Sequence, residues 1–232
     1  MNYRLFPAKE RGFADYGWLK THYSFSFANW YHPEKIHFGM LRVLNDDNIA
    51  PHSGFDFHPH NDMEIITILL EGELTHQDSM GNKGVIKKNE VQVMSAGTGI
   101  FHSEKNEGNE WTKLFQMWIF PDKKGHTPRY EQKSFPTQQS TQLLVSPDGR
   151  ENSLWIHQNA FITRLHLSAG EHFDYHLHYP SNGAYVMNID GEFSIHQHIL
   201  QFRDAIGVWN TPVFNIHSSK TSDILLIEVP MH

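Results

Sequence analysis

Two short stretches of this chain combine histidine and glutamate at a spacing that suits a metal ion. His58 and His60 are two residues apart, and so are His102 and Glu104. Side chains on a β-strand alternate between its two faces, so each pair points to one side if its segment is extended. Two such pairs on neighbouring strands would bring three imidazoles and one carboxylate together inside a barrel. This ligand set suits a divalent ion such as Fe(II), and also Ni, Cu, Mn or Zn.

The composition limits the other chemistry that the chain can support. It has 232 residues with 18 histidines and no cysteine, so a metal ion must be held by nitrogen and oxygen rather than by thiolate. The formal net charge is −7 and basic residues form no cluster beyond short pairs, which argues against direct binding of nucleic acid. The sequence contains no apolar run of spanning length and no signal peptide, so we expect a cytoplasmic protein without a membrane partner.

Segments typical of β-strands recur along the whole chain and are separated by turn residues. Residues 36–44 (IHFGMLRVL) precede the polar residues 45–48 (NDDN), which predict a turn, and residues 63–70 (MEIITILL) precede a bend at residues 71–73 (EGE). A long segment with the apolar period of a helix is absent from the sequence. The pattern therefore predicts an all-β sandwich or barrel.

The second half of the sequence repeats the first. FDFHPH at 55–60, followed by EGE, is echoed by FDYHLH at 173–178, followed by DGE. The later FHS at 101–103 is echoed by IHS at 216–218 in the same order. Two copies of one β-barrel unit explain this repeat, with an N-terminal barrel over residues 1–135 and a C-terminal barrel over residues 136–232. The polar residues 133–140 and 147–153 are expected to bracket the crossover.

The sequence around the histidines resembles the motifs of known proteins. Residues 58–64 (HPHNDME) resemble the first cupin motif, and residues 99–106 (GIFHSEKN) resemble the second. Longer stretches, including HPHNDMEIITILLEGELTHQDSMGN at 58–82 and VQVMSAGTGIFHSEKN at 91–106, resemble pirins, and above all their bacterial quercetinase-like members. The resemblance covers most of residues 10–135, and the second half follows the two-cupin layout more loosely.

This resemblance implies two cupin barrels of the jelly-roll type, packed as a bicupin, with one metal ion in the N-terminal barrel. Pirins take their fourth ligand from a glutamate two residues after the third histidine, which is Glu104 here. Many other cupins use the glutamate of the first motif, which is Glu64 here. We therefore expect Glu104 as the ligand, and Glu64 as a residue that orients an imidazole or as the alternative ligand. The resemblance also favours Fe(II) as the ion.

The C-terminal barrel departs from the pirin pattern. Such barrels have generally lost their ligands, yet this one keeps His176, His178 and His217, while the carboxylates of both motifs are missing. We expect these histidines to be remnants hydrogen-bonded in the barrel, with a degenerate second metal site as the alternative. The other histidines, including His76, are expected to be ordinary polar residues.

The resemblance implies a metal-dependent dioxygenase that cleaves flavonols such as quercetin with O2 and releases carbon monoxide. A deprotonated flavonol 3-hydroxyl could coordinate the metal, and Glu104 is the candidate base for that proton. One alternative is a regulatory module that binds a protein partner, as eukaryotic pirins do. A second alternative is a cupin isomerase or hydrolase, which would act without O2.

Overall fold

The computed structural model describes residues 1–135 and 140–232, and strands make up most of these residues. The predicted all-β class is therefore confirmed. In the described part of the chain, the helical segments are two short 3-10 turns, Ala8–Glu10 and Arg150–Asn152. Across the same residues, the structure contains no helix whose length and apolar character would let it cross a membrane.

The strands of the first half form a seven-stranded sheet and a four-stranded sheet. In chain order the strands are β1 (Asn2–Phe6), β2 (Gly12–Asp15), β3 (Leu19–Tyr23), β4 (Leu41–Ile49), β5 (Ser53–His60), β6 (Glu64–Glu71), β7 (Glu73–Asp78), β8 (Lys83–Lys87), β9 (Glu90–Ser95), β10 (Ile100–Asn106), β11 (Thr112–Ile119) and β12 (Arg129–Ser134). The larger sheet has the order β12-β9-β6-β11-β4-β3-β2, and the smaller has the order β5-β10-β7-β8. Together they enclose the N-terminal jelly-roll barrel.

The second half repeats this arrangement. Its described strands are β13 (Thr141–Ser146), β14 (Leu154–Trp155), β15 (Phe161–Leu167), β16 (His172–His176), β17 (Asn182–Asp190), β18 (Phe193–Ile195), β19 (His198–Leu200), β20 (Ala205–Trp209), β21 (Val213–Ser218) and β22 (Ser222–Pro230). The larger sheet has the order β1-β20-β17-β22-β15-β13-β14, and the smaller has the order β16-β21-β18-β19. The expected pair of jelly-roll barrels is present.

The first strand corrects the expected division of the chain at residue 135. β1 pairs along its whole length with β20, so residues 2–6 belong to the sheet of the C-terminal barrel. This pairing covers the edge of β20, which would otherwise expose unpaired backbone groups. Residues 133–140 are the first of the two polar stretches expected to bracket the crossover. Of these, Lys133 and Ser134 end β12, and residues 136–139 lie outside the described residues.

The two seven-stranded sheets pack against each other through a shared apolar core. Phe6 and Phe38 surround the buried ring of Tyr185, at centroid distances of 5.1 and 5.8 Å. β6 contributes Ile66 and Ile68 to this core. Its alternate residues face the interior of the N-terminal barrel, so both faces of β6 are buried, which explains its continuous apolar sequence.

The interiors of the two barrels differ in character. One continuous apolar cluster fills the C-terminal barrel. The N-terminal barrel instead has two smaller apolar clusters, and on β6 Ile65 belongs to one and Leu69 to the other. Thr67 lies between them, and the neighbouring strands place Gln92 and Gln116 beside it in register. A polar layer therefore divides the interior of the N-terminal barrel.

The turn expected at residues 45–48 is wrong, because these residues lie inside β4. Asn45 and Asp47 face the interior of the N-terminal barrel, while Asp46 between them faces the C-terminal barrel. There Asp46 forms ion pairs with Arg11 (3.3 Å) and with Arg203 (2.8 Å). The polar sequence reflects two buried polar environments on opposite faces of one strand, rather than exposure to solvent.

Replacing Asp46 with alanine should destabilise the protein strongly. The Asp46→Ala variant leaves the buried guanidinium groups of Arg11 and Arg203 without their carboxylate, at an expected cost of about 3–5 kcal/mol in the free energy of unfolding. The control is Glu34→Ala, which removes the exposed ion pair with Arg4 and should cost less than about 1 kcal/mol. Urea unfolding measures the free energy of unfolding of both variants, and equal unfolding midpoints for the two would contradict the prediction.

Candidate metal centre

Three histidines converge where β5 meets β10. His58 and His60 lie on the same face of β5, and His102 on β10 pairs directly with His58. The ring centroids of His58 and His102 are 4.4 Å apart, and those of His60 and His102 are 5.0 Å apart. One ring nitrogen from each of the three lies within 4.8 Å of the other two. The structure thus brings together the three imidazoles that the sequence singled out.

A β-bulge lies beside this cluster, and a backbone carbonyl within it fixes the tautomer of one imidazole. His102 pairs with His58, but Glu104 pairs with Phe55, so β5 has one residue more than β10 over this interval. The Nδ1 of His58 lies 2.7 Å from the carbonyl oxygen of Asp56. Because a carbonyl oxygen can only accept, Nδ1 carries the proton and the lone pair of Nε2 is available to a metal ion.

His102 provides a direct test of whether these residues fit a metal ion. Its side chain is buried, and neither ring nitrogen has a hydrogen-bond partner among the described residues. Burying an unsatisfied polar group costs about 1–3 kcal/mol. Coordination of a divalent ion by His102 would satisfy one of these nitrogens. The donor atoms and the burial therefore fit a metal ion.

The electrostatic environment favours imidazoles in the form that binds metals. Burial, together with a smaller effect of the adjacent histidines His102 and His58, lowers the pKa of His60 to about 3. Burial likewise lowers the pKa of His102 to about 3, with His58 and His76 contributing. Both rings are therefore neutral near pH 7, so a metal ion does not have to displace a proton from either.

Glu104 is fully buried and is held by three side-chain donors. Thr67 Oγ1 (3.3 Å) and the amide of Gln92 donate to Oε1, and Gln116 Nε2 donates to Oε2 at 2.6 Å. These three donors form the polar layer described above, so the layer fixes the orientation of this carboxylate. Burial raises the pKa of Glu104, while the nearby histidine His76 and the donors oppose the rise.

A fourth histidine, His76, lies beside this cluster, although the sequence predicts an ordinary polar residue at this position. It pairs with Glu104 across β7 and β10, and it forms a second group with His102 and Glu104 whose ligand atoms lie within 4.8 Å of one another. Its ring stacks on Tyr130 at 4.1 Å. The sequence contains a hint of this position, since His76 and Asp78 are two residues apart and share one face of β7. Placing His76 beside Glu104 nevertheless requires the register of β7 against β10.

Glu64 lies apart from the histidine cluster. It accepts a hydrogen bond from Ser95 Oγ (2.7 Å), and its carboxylate also meets the backbone N–H of His157 in the C-terminal half. On β6 it shares the face of Ile66, which packs between the barrels, whereas Thr67 on the other face reaches Glu104. This placement is inconsistent with Glu64 as an alternative ligand or as a residue that orients an imidazole.

The structure also separates the histidines of the degenerate second site that was the alternative to hydrogen-bonded remnants. His217 on β21 pairs and stacks with His172, at 4.3 Å between ring centroids. His176 lies at the other end of β16, opposite Val213. His178 has left the strand, stacks on a phenylalanine and bonds through Nδ1 to the buried carboxylate of Glu228 (2.8 Å). The two-residue spacing did not place His176 and His178 together because β16 ends between them.

A cavity of about 180 Å³ opens beside the metal centre, and its walls differ in polarity. It is lined by Leu19, Thr21, Tyr23, Phe27, Asn45, Asp47, Phe55, His58, His60, Glu104, Gln116 and Trp118. The aromatic residues provide apolar walls, and β3 and β4 provide a polar wall. Burial raises the pKa of Asp47 in this polar wall to about 7.

Comparison with protein families agrees with the two-barrel fold. Residues 6–119 match the family described as pirin, and residues 143–229 match the family described as the quercetinase C-terminal cupin domain. The chain belongs to the pirin family. The predicted family membership and the bicupin fold are therefore confirmed.

Individual pirins resemble this chain over nearly its whole length. The proteins named quercetin 2,3-dioxygenase from Escherichia coli strain K12 and from Escherichia coli O157:H7 are each 43% identical over 227 residues, covering 97% of this chain and 98% of theirs. The bacterial pirin YhhW from Escherichia coli in complex with nickel(II) has a TM-score of 0.94 and 41% identity, with 99% of each chain covered. A relative with this fold therefore binds a divalent ion, and the histidine cluster offers such an ion its ligands here.

Removing His102 should abolish tight binding of a divalent ion. Wild-type protein should bind one Ni(II) per chain, and His102→Ala should weaken that binding by more than about 100-fold. Loss of a residue that only orients a ligand costs up to about 100-fold in affinity, and loss of a ligand itself should cost more. His217→Ala is the matched control, since His217 stacks on His172 outside the cluster. Calorimetric titration measures affinity and stoichiometry, and unchanged affinity in His102→Ala would refute the assignment.

Proposed function

We propose that this pirin is a metal-dependent dioxygenase that cleaves flavonols such as quercetin with O2. The proposed ligands are His58, His60, His102 and Glu104, and the proposed ion is Fe(II). The proposal is supported by relatives that bear the name quercetin 2,3-dioxygenase. The identity of the ion can be tested by elemental analysis of protein purified without chelators or affinity metals.

The observation that carries this proposal is the convergence of three imidazoles on the edge of a partly apolar cavity. The low pKa values of His60 and His102 keep both rings ready for coordination. A set of three nitrogen donors and one carboxylate leaves coordination positions open to a substrate. When bound, such an ion would supply Lewis acidity toward the flavonol oxygens and a redox centre for the reaction with O2.

Glu104 is the proposed base for the flavonol 3-hydroxyl. It lines the cavity, and donors on both of its oxygens hold the carboxylate in one orientation. Each carboxylate oxygen can accept more than one hydrogen bond, so these donors leave acceptor capacity for a substrate hydroxyl. Burial raises the pKa of Glu104, which makes the carboxylate a stronger base than an exposed glutamate.

The apolar walls would hold the flat rings of a flavonol and exclude water from the reaction. Trp118 meets His60 edge to face at 4.9 Å and Phe27 at 5.3 Å, so the aromatic wall begins at the metal centre. A second cavity of about 430 Å³ shares Phe27 and Trp118 with the first. A flavonol bound at the ion would fill the smaller cavity and extend past these two rings.

The direct test is turnover of quercetin by protein loaded with Fe(II), Ni(II), Cu(II) or Mn(II). Loss of flavonol absorbance should accompany uptake of O2, and both should cease under anaerobic conditions. Absence of turnover with all four ions would refute the proposed activity. Turnover that continues without O2 would instead indicate an isomerase or hydrolase.

Replacing Glu104 with glutamine should lower kcat/KM for quercetin by about 100-fold or more, the contribution usual for a positioned general base. The Glu104→Gln variant keeps the shape of the side chain and removes its basicity, and it is assayed at saturating metal so that weaker coordination does not limit the rate. Glu64→Gln is the matched control, because it neutralises a buried carboxylate on the opposite side of the large sheet. Similar losses in the two variants would contradict the role of Glu104.

A further inference from the structure

The wall of the cavity that faces the histidines carries three buried polar side chains with no role in holding the metal. Thr21 on β3 pairs directly with Asp47 on β4, and Asn45 lies two residues before Asp47 on the same face. All three residues are buried: Thr21 is 1% exposed, Asp47 is 2% exposed and Asn45 is 3% exposed. All three line the cavity beside the metal centre.

Each of these side chains presents an oxygen without a hydrogen-bond partner among the described residues. These oxygens are Thr21 Oγ1, Asn45 Oδ1 and Asp47 Oδ1. The Thr21 hydroxyl is close enough to the Asp47 carboxylate and to the Tyr23 hydroxyl to influence the pKa of each, but it forms no hydrogen bond of normal geometry with either. Buried polar groups in folded proteins are almost always paired, so a cluster of three unpaired oxygens on one wall indicates a site for a ligand that donates hydrogen bonds.

The position of this wall distinguishes it from the metal centre. His58 and His60 lie on the four-stranded sheet, whereas Thr21, Asn45 and Asp47 lie on the seven-stranded sheet that closes the other side of the barrel. The cavity between the two walls is bounded by aromatic rings. A ligand that fills the cavity would therefore meet a metal ion on one wall, aromatic rings at its sides and hydrogen-bond acceptors on the facing wall.

We propose that Thr21, Asn45 and Asp47 form a subsite for hydroxyl groups, which selects polyhydroxylated aromatic substrates over aromatic substrates that have only the metal-binding hydroxyl. This inference rests on the proposed flavonol dioxygenase function and specifies its substrate class. A hydroxyl group can donate to any of the three oxygens and can also accept from the Thr21 hydroxyl or from an amide. A purely apolar ring end would leave all three oxygens unpaired, which costs binding free energy.

The experiment compares quercetin with 3-hydroxyflavone, which keeps the 3-hydroxyl and the 4-carbonyl and lacks the other four hydroxyl groups. Equilibrium binding to Ni(II)-loaded protein is measured by fluorescence quenching without O2, so that no turnover is needed. Asp47→Leu removes both acceptor oxygens and keeps the number and branching of the side-chain heavy atoms, and Thr21→Val removes one hydroxyl from an isosteric side chain.

For quercetin, the dissociation constant should rise about 10- to 100-fold in Asp47→Leu, the range for loss of a hydrogen bond to a charged group. It should rise about 3- to 10-fold in Thr21→Val, the range for loss of a hydrogen bond between neutral groups. For 3-hydroxyflavone, it should not rise in either variant and should fall in Asp47→Leu, because this ligand makes no hydrogen bond at the subsite and the variant removes oxygens that the ligand leaves unpaired. Asn48→Leu is the matched control on the same strand, since Asn48 lines a different cavity, and both ligands should bind to it as to the wild type.

Ni(II) stoichiometry and thermal unfolding establish that each variant is folded and loaded, and Thr21→Val carries the test if Asp47→Leu does not fold. Equal weakening for both ligands, or no weakening for quercetin, would overturn the subsite. Failure of the wild type to bind either flavonol would overturn it as well.

The subsite and the proposed activity can fail separately. The predicted binding pattern in a protein that consumes no O2 with quercetin would support the subsite and refute the activity. Quercetin turnover with O2 in a protein whose variants bind both ligands like the wild type would support the activity and refute the subsite.

Discussion

Burial of imidazoles beside one another is the constraint on which the N-terminal barrel depends. Burial and mutual repulsion keep His60 and His102 neutral, which leaves their nitrogens available as ligands and, in the case of His102, unpaired. An interior that contains this cluster cannot also be a continuous apolar core. The polar layer around Glu104 is the consequence, because the carboxylate requires the donors that Thr67, Gln92 and Gln116 supply.

The C-terminal barrel supplies the apolar packing that the first barrel lacks. Its interior is one apolar cluster, and the core between the two large sheets draws on both halves of the chain. The ion pair between Asp46 and Arg203 and the pairing of β1 with β20 join the halves further. In this barrel the buried carboxylate of Glu228 accepts a hydrogen bond from Tyr175 and bonds to His178. Both residues lie in the segment that repeats the histidine motif of the first barrel, and here they fix the end of β16. One copy of the fold carries the site and the other stabilises it.

The sequence was sufficient to predict the two-barrel fold, through its internal repeat, and the convergence of the three histidines, through their spacing and the resemblance to the cupin motifs. It was not sufficient wherever the register between strands decides the outcome. His76 reaches Glu104 through the pairing of β7 with β10, and Glu64 leaves the centre because β6 presents it to the other barrel. His176 and His178 share a motif spacing, but the strand ends between them. Two-residue spacing predicts a shared face only within a continuous strand, and the extent of each strand depends on its partners.

The run of polar residues at 45–48 shows why buried polarity is hard to interpret from sequence and why it is informative in a structure. Asp46 and Asp47 are neighbours of the same type, so the sequence alone cannot distinguish their roles. In the fold, Asp46 meets two guanidinium groups, and that contact accounts for its burial. Asp47 faces a cavity with an unpaired oxygen, beside two other unpaired oxygens. An apolar residue at Asp47 would pack there without an unsatisfied polar atom, so the fold itself does not require the carboxylate. The proposed subsite accounts for this carboxylate, since departures from locally stable packing are expected at functional sites.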